Sequence, residues 1–276
     1  MHGFEVEREV HSSATSKVFR AVSRETGSRV ALKIPVDTRE SGIRRFAAEA
    51  AILSELSHPA MVRYVSHGGE GDDLFLAMQW LEGETILAQL RRARYGVATS
   101  VAIAKRVAEG LASAHGAGVV HRDVKPANVI LENGEPHLAQ LIDFGIAHRS
   151  SPEGLRKHAS FSGGTWAYMS PEQVMGAAEL GYRTDVYSLG CVLFECLTGK
   201  SPFPPDRAGA VMARIWKPVP RVSELCPAVP PALDALTARM MAQDPLARPS
   251  DGREVAEAVA RLSRLTDDVL AVRQVG

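Results

Sequence analysis

Residues 121–131 read HRDVKPANVIL, and residues 142–145 read IDFG. In chain order these stretches supply a carboxylate (Asp123), an ammonium (Lys125), an amide (Asn128) and a second carboxylate (Asp143). Those four groups suit phosphoryl transfer. That reaction asks little covalent work of a protein, but it demands in-line positioning and neutralisation of charge on the phosphates. Asp123 can accept a hydroxyl proton and Lys125 can steady a phosphate. Mg²⁺ takes hard oxygen ligands in octahedral geometry, so Asn128 and Asp143 form a candidate metal pair.

Outward from that centre, residues 4 to about 36 alternate as strands do, with ETGS (25–28) as a hairpin turn. SGIRRFAAEAAILSEL (41–56) has helical spacing, with Phe46, Ala50 and Leu53 on one face. Residues 62–80 read as two strands around a Gly/Asp turn. Helices dominate from residue 84, interrupted by a strand-rich piece at 128–143. SPEGLRKHASFSGG (151–164) is a polar loop, CPAVPPALDAL (226–236) brings prolines to a helix start, and 252–265 is amphipathic, with Val255, Ala258 and Val259 on one side. The order predicts a β-rich small lobe (4–78), a connector (79–83), a mainly helical large lobe (84–262) and a tail (263–276). Ligands favour the cleft between two such lobes.

The chain has 276 residues, enough for two lobes and a large core. Its 32 basic and 32 acidic side chains cancel, so nothing favours nucleic acid or an anionic membrane as partner. Cys191, Cys196 and Cys226 lack zinc-ligand spacing and read as reduced, structural thiols. MHGFEVEREV at the start has no apolar signal region, and the apolar run YSLGCVLFECLTG (187–199) is too short to span a bilayer and carries Glu195. These features predict a cytoplasmic protein with no membrane segment in this chain.

Seven fragments in order carry a resemblance: Lys33 of VALK, Glu49 of FAAEAAIL, HRDVKPAN, DFG, GTWAYMSPEQ, DVYSLG and Arg248 of DPLARPS. From about Phe4 to Leu262 the chain resembles the eukaryotic-type (Hanks-type) protein kinases, and most closely the bacterial serine/threonine kinases. The resemblance implies a two-lobed α+β fold, a five-stranded small lobe with one helix, and ATP with Mg²⁺ (Mn²⁺ as an alternative) as cofactors. It implies that Lys33 binds the α- and β-phosphates, held by an ion pair with Glu49. It also makes Asp123 the base, Lys125 the steadier of the γ-phosphate, and Asn128 and Asp143 the Mg²⁺ ligands. The nucleotide cleft would be lined by Val10, His11, Ser13, Ser16, Val18, Ala31, Met78, Gln79, Leu81 and Ile130. Met78 is the gatekeeper, and Gln79 to Leu81 the hinge that meets adenine. Glu172 with Arg248 would brace the large lobe, Asp185 would anchor the catalytic loop, and His121 would pack on Phe144. His115 reads as helix packing. The implied partners are protein substrates phosphorylated on Ser or Thr, and a second copy of the chain for trans-autophosphorylation.

One departure stands out. The family's G-x-G-x-x-G-x-V falls on His11, Ser13, Ser16 and Val18, so the loop VHSSATSKV (10–18) contains no glycine. Glycine permits positive φ and lets backbone N–H groups approach phosphates. A left-handed position forced on another residue costs on the order of 1–2 kcal/mol, so the substitution predicts weaker nucleotide binding. Small serine hydroxyls could themselves bond to phosphate. The alternative to an active kinase is a nucleotide-binding scaffold with weak or no turnover. A small-molecule kinase is a third reading, against which GTWAYMSPEQ and Arg248 argue. Trp166, where the family has a small residue or proline, puts ordinary substrate preference in doubt. Arg122 would pair with a phosphate on the loop between Gly145 and Ser170, with Ser160 and Ser162 as candidate phosphosites.

Overall fold

A computed structural model describes residues 3–144, 147–149, 165–177, 179–203 and 218–262. Gly145, Ser160, Ser162 and the tail from residue 263 lie outside them.

The strand-like N-terminal third forms β1 (Phe4–Ser12), β2 (Ser16–Ser23), β3 (Arg29–Pro35), β4 (Tyr64–Gly68) and β5 (Phe75–Gln79). They make one antiparallel five-stranded sheet in the order β1-β2-β3-β5-β4. Because side chains alternate across a strand, register decides which residues share a face. Lys33 and Ala31 pair with Val18 and Arg20 on one side, and with Leu76 and Met78 on the other, so all six share one face. The opposite face buries Ala21, Val30, Leu32 and Ala77 under Phe4, Phe19 and Phe75.

Between β3 and β4 runs α1 (Glu40–Glu55). Its buried stripe contains the expected Phe46, Ala50 and Leu53, and Glu49 lies in the same stripe. Glu40 sits in the first turn, where an acidic side chain complements the helix dipole. After α1 the chain does not return directly to the sheet. Met61 makes a parallel bridge with Leu141, Val62 N donates to Leu141 O (2.9 Å), and Leu141 N donates to Ala60 O (2.9 Å).

β5 ends at Gln79, and the next strand, β6 (Gly83–Thr85), pairs in a three-stranded sheet with β8 (Val129–Glu132) and β9 (Ala139–Leu141). The rest is mainly helical: α2 (Ile86–Leu90), α3 (Val97–Gly116), α4 (Pro171–Val174), α5 (Tyr182–Thr198) and, further on, helices at Val222–Leu225, Pro231–Met240 and 252–262. Short strands β7 (Val119–Val120) and β10 (His148–Arg149) pair beside the site.

α5 is the centre of the large lobe. Thirteen of its 17 residues are buried, so it has no solvent-facing polar side, as expected of a helix packed on all sides. At Gly190 an added Cβ would come within 2.9 Å of Met240 Cβ, which is why this helix crosses so closely over its neighbour. Gly199, at φ 73°, ends it in the left-handed conformation, with its N–H on Glu195 O. Val255 and Val259 of the 252–262 helix are fully buried, as its amphipathic pattern predicts. No helix among the described residues is long and apolar enough to cross a membrane.

Candidate active site

Asn128 and Asp143, two of the candidate groups, are brought together by a hairpin. β8 and β9 pair with Val129 opposite Leu141, and Ile142 N donates to Asn128 O (2.9 Å). Asn128 precedes β8 and Asp143 follows β9, so the hairpin returns Asp143 to the side of Asn128. From the small lobe, Lys33 Nζ reaches Glu49 Oε1 at 2.5 Å and Asp143 Oδ1 at 2.8 Å. The ammonium of β3 thus joins α1 to the end of β9 across the cleft.

On the other side of Asn128 lies the second group. Asn128 Nδ2 donates to the Asp123 carbonyl (2.9 Å) and to Asp123 Oδ2 (3.0 Å), and Lys125 Nζ donates to Asp123 Oδ2 (2.7 Å). With its nitrogen committed to Asp123, the amide of Asn128 has its oxygen as the atom to offer a cation. That oxygen and the Asp143 carboxylate are the hard donors Mg²⁺ prefers, and phosphate oxygens and water complete such a shell. Among the described residues no cluster of three or more His, Cys, Asp or Glu side chains is placed to hold a metal ion. The Asn128 amide oxygen and the Asp143 carboxylate are the two hard donors the described residues bring together here.

Burial governs the charges here. It is the largest influence on Glu49, pushing its carboxyl up to about 7 while Lys33 pulls it only part of the way back. For Lys33 burial works against the charged form, but the carboxylates of Asp143 and Glu49 outweigh it and hold the ammonium above its ordinary value. Burial also raises Asp123, with Lys125 opposing.

The loop carrying Asp123 is held from beneath by Asp185 of α5. Its carboxylate accepts the main-chain N–H groups of His121 (2.8 Å) and Arg122 (2.7 Å), and it contacts His115 Nε2 at 3.0 Å. Asp185 is fully buried; burial would raise its carboxyl, but the bonds from His115 and the loop hold it below the usual range. His115 is thus more than the helix packing its position suggests. It also accepts from Gly252 N at Nδ1 (3.1 Å) and stacks on Tyr182. His121 is completely buried, tilted against Phe144 with centroids 4.7 Å apart, and burial lowers its basicity so that it stays neutral. Glu172 and Arg248 form a two-pronged ion pair, at 2.7 and 2.9 Å.

The glycine-free loop departs from expectation. None of residues 11–16 has positive φ, so the conformational cost of a left-handed serine or histidine does not arise. The hydroxyl of Ser13 is turned into its own loop, donating to Ser16 O (3.0 Å) and accepting from Thr15 N and Ser16 N. Ser16 is buried, whereas His11 is exposed and sits opposite Val18 in the ladder. Ala31, Ile130 and Val18 are half-buried, and Met78 and Leu81 are buried.

Two residues that sequence reasoning passed over contribute here. Gln173 receives the Ser170 N–H at Oε1 (3.0 Å) and donates from Nε2 to the Arg122 carbonyl (3.0 Å). Its signal was present as the capping-box pattern S-x-x-Q of Ser170–Gln173. Trp80, in the connector, lies beneath the Arg20 guanidinium at 5.7 Å, and no sequence pattern marks it. A recess of about 320 Å³ lined by His58, Glu109, Ser113, Arg253 and Glu257 shares none of the groups above.

Comparison with known proteins agrees with this geometry. The family described as "Protein kinase domain" matches residues 4–261. Serine/threonine-protein kinase PknH of Mycobacterium tuberculosis is 38% identical over 216 residues, covering 77% of this chain and 34% of that protein. PknJ of the same organism is 36% identical over 266 residues, covering 94% of this chain and 45% of that protein. The chain therefore spans between a third and a half of these curated relatives. The crystal structure of the Mycobacterium tuberculosis PknI kinase domain, a point variant, superposes with a TM-score of 0.72 at 26% identity and covers 95% of this chain. With a sheet-based small lobe, a helical large lobe and Lys33, Glu49, Asp123, Asn128 and Asp143 converging between them, the chain belongs to the Hanks-type protein kinase family, among its bacterial serine/threonine members.

Proposed function

We propose that this chain transfers the γ-phosphoryl group of ATP to serine or threonine hydroxyls of protein substrates. The observation that carries this reading is the unbroken set of contacts from Glu49 through Lys33 to Asp143, and from Asn128 and Lys125 to Asp123. In this reading Asp123 takes the hydroxyl proton as the oxygen attacks phosphorus, and its burial-raised basicity suits that task. Lys125 neutralises charge on the moving phosphoryl group, and Lys33 holds the phosphates beyond it. Mg²⁺, or Mn²⁺ in its place, supplies further charge neutralisation when bound to the oxygens of Asn128 and Asp143. Every charged group this chemistry needs is present, so nothing favours the scaffold reading.

Regulation follows from Arg122. Its Nε and one Nη are buried without a hydrogen-bond partner among the described residues, which is costly for a guanidinium. A phosphate on the 145–164 segment would satisfy it, and Ser160 and Ser162 are the candidates. A second copy of the chain can deliver that phosphate in trans. Cys191, Cys196 and Cys226 form no disulfide among the described residues, which suits a reducing, ATP-rich cytoplasm.

The test is labelled ATP with a generic protein substrate, comparing wild type with Asp123→Asn and Asp143→Asn. Transfer by wild type and its loss in both variants is the expected result. No transfer by wild type, while MgATP still stabilises the fold, overturns the reading. Addition of phosphate at Ser160 or Ser162, read by intact and peptide mass after incubation with MgATP, tests the regulatory part.

A further inference from the structure

A hydroxyl has one proton to give and two lone pairs to receive with. At Ser13 the hydroxyl is engaged within the loop, with Thr15 Oγ1 and Ser16 Oγ also at 3.4 Å. The proton goes to Ser16 O (3.0 Å), and the oxygen accepts from Thr15 N (3.3 Å) and Ser16 N (3.1 Å). Ser13 N is also engaged, on Ser16 O at 2.9 Å, and Thr15 O is pinned by Val36 N at 2.9 Å. The turn from β1 to β2 is consequently a closed knot built around one side chain. Backbone N–H groups at the tip of such a turn are the donors that could meet an anion lying beneath the sheet. Here those of Thr15 and Ser16 face the Ser13 oxygen instead.

We infer that Ser13 is a positioning residue for the triphosphate, an internal latch that competes with phosphate oxygens for the Thr15 and Ser16 N–H groups. This rests on the nucleotide-site reading above and deepens it. An ionised phosphate oxygen is a stronger acceptor than a neutral hydroxyl, so a bound triphosphate can take the donors over. It must first break the knot, and that work is subtracted from its affinity. Adenosine, which has no phosphate, does not contact these donors and is indifferent to the latch. Sequence alone suggests the reverse role for this serine, a hydroxyl offered to phosphate; in the structure that hydroxyl faces Ser16 O and the neighbouring hydroxyls of its own loop.

The experiment titrates MgATP and adenosine separately against the full chain and its Ser13→Ala, Ser13→Gly and Ser13→Thr variants by calorimetry. Loss of the hydroxyl in Ser13→Ala and Ser13→Gly is expected to tighten MgATP about tenfold, the size of one hydrogen-bond exchange. Adenosine should change less than about twofold, and Ser13→Thr, which keeps the hydroxyl, should bind like wild type. MgATP affinity that stays the same or weakens in both Ser13→Ala and Ser13→Gly, with adenosine still bound, overturns the latch while leaving the nucleotide site intact. Equal shifts for adenosine and MgATP also overturn it, because they report packing and not phosphate donors. Wild type that binds neither compound overturns the nucleotide-site reading itself, and the latch with it.

Discussion

Asp185 Oδ1 holds the Arg122 N–H at 2.7 Å, and Arg122 has φ 66°, a left-handed backbone that a non-glycine residue adopts only when its surroundings insist. The insistence comes from two sides, since Gln173 Nε2 donates to the Arg122 carbonyl. Asp123, the next residue, is aimed by this strained peptide. Asp185→Asn replaces one buried acceptor with a donor and leaves an N–H unmatched, at a cost of roughly 1–3 kcal/mol. The expected outcome is a lower melting temperature and a kcat reduced at least about tenfold, with MgADP affinity nearly unchanged. A parallel loss of nucleotide affinity would show that Asp185 supports the whole cleft and not the loop alone.

The pH response of the free protein should carry the mark of Glu49. Its carboxyl is raised from 4.5 to about 7, chiefly by burial. The folded state therefore binds a proton more tightly than the unfolded one, and the stability this contributes is full below pH 4.5 and lost as pH rises through 7. Lys33, also raised, contributes stability that is full below 10.5 and fades only above it. Subtracting the unfolding free energy of Glu49→Gln from that of wild type should give a difference that falls by roughly 3 kcal/mol between pH 4.5 and 7. A flat difference would mean that Lys33 keeps Glu49 ionised throughout. Because the Asp143 charge also raises Glu49, Asp143→Asn should shift the midpoint to lower pH.

Arg248 is a deeply buried charge of the large lobe, with none of its side chain exposed. Besides Glu172 it serves the carbonyls of Ala242, Arg183 and Gln243, and its guanidinium lies 4.8 Å from the Tyr187 ring centre. Removing one partner of such a pair leaves the other stranded, so Arg248→Met should cost about 3–5 kcal/mol. Denaturant unfolding is the check. Arg248→Lys should recover little, since an ammonium cannot reproduce the two-pronged contact.

Divalent metal should be required for nucleotide to stabilise the fold. ADP with Mg²⁺ is expected to raise the melting temperature, and EDTA to remove most of that gain. In Asp143→Asn the gain should be absent with or without metal. A full gain from ADP in EDTA would remove Asn128 and Asp143 from the metal's account.

The sequence stated the chemistry more openly than its placement. Lys33 and Glu49 are marked by a charged residue inside an otherwise apolar strand and helix stripe, and Asp123, Asn128 and Asp143 by their order. The β8–β9 hairpin was visible only as a strand-rich piece, because what returns Asp143 to Asn128 is a register that apolar alternation does not specify. The loop is hard to read from sequence for a different reason. Counting glycines tells which conformations are cheap, but Ser13 bypassed the question by folding the turn with negative φ and closing it through its side chain. His115 was undervalued because a histidine on a buried helix face looks the same whether its partner is a leucine or, as here, the carboxylate of a residue 70 positions away.

The bridge between Met61 and Leu141 has a mechanical meaning. It stitches the strand that leads into Asp143 to the peptide that follows α1, so the helix bearing Glu49 and the carboxylate facing Lys33 share one chassis. The chain crosses between lobes in the 79–83 connector, and the stitch is a second tie between them. A small lobe tied to the large one at two places resists twisting, which keeps Lys33 within reach of both Glu49 and Asp143.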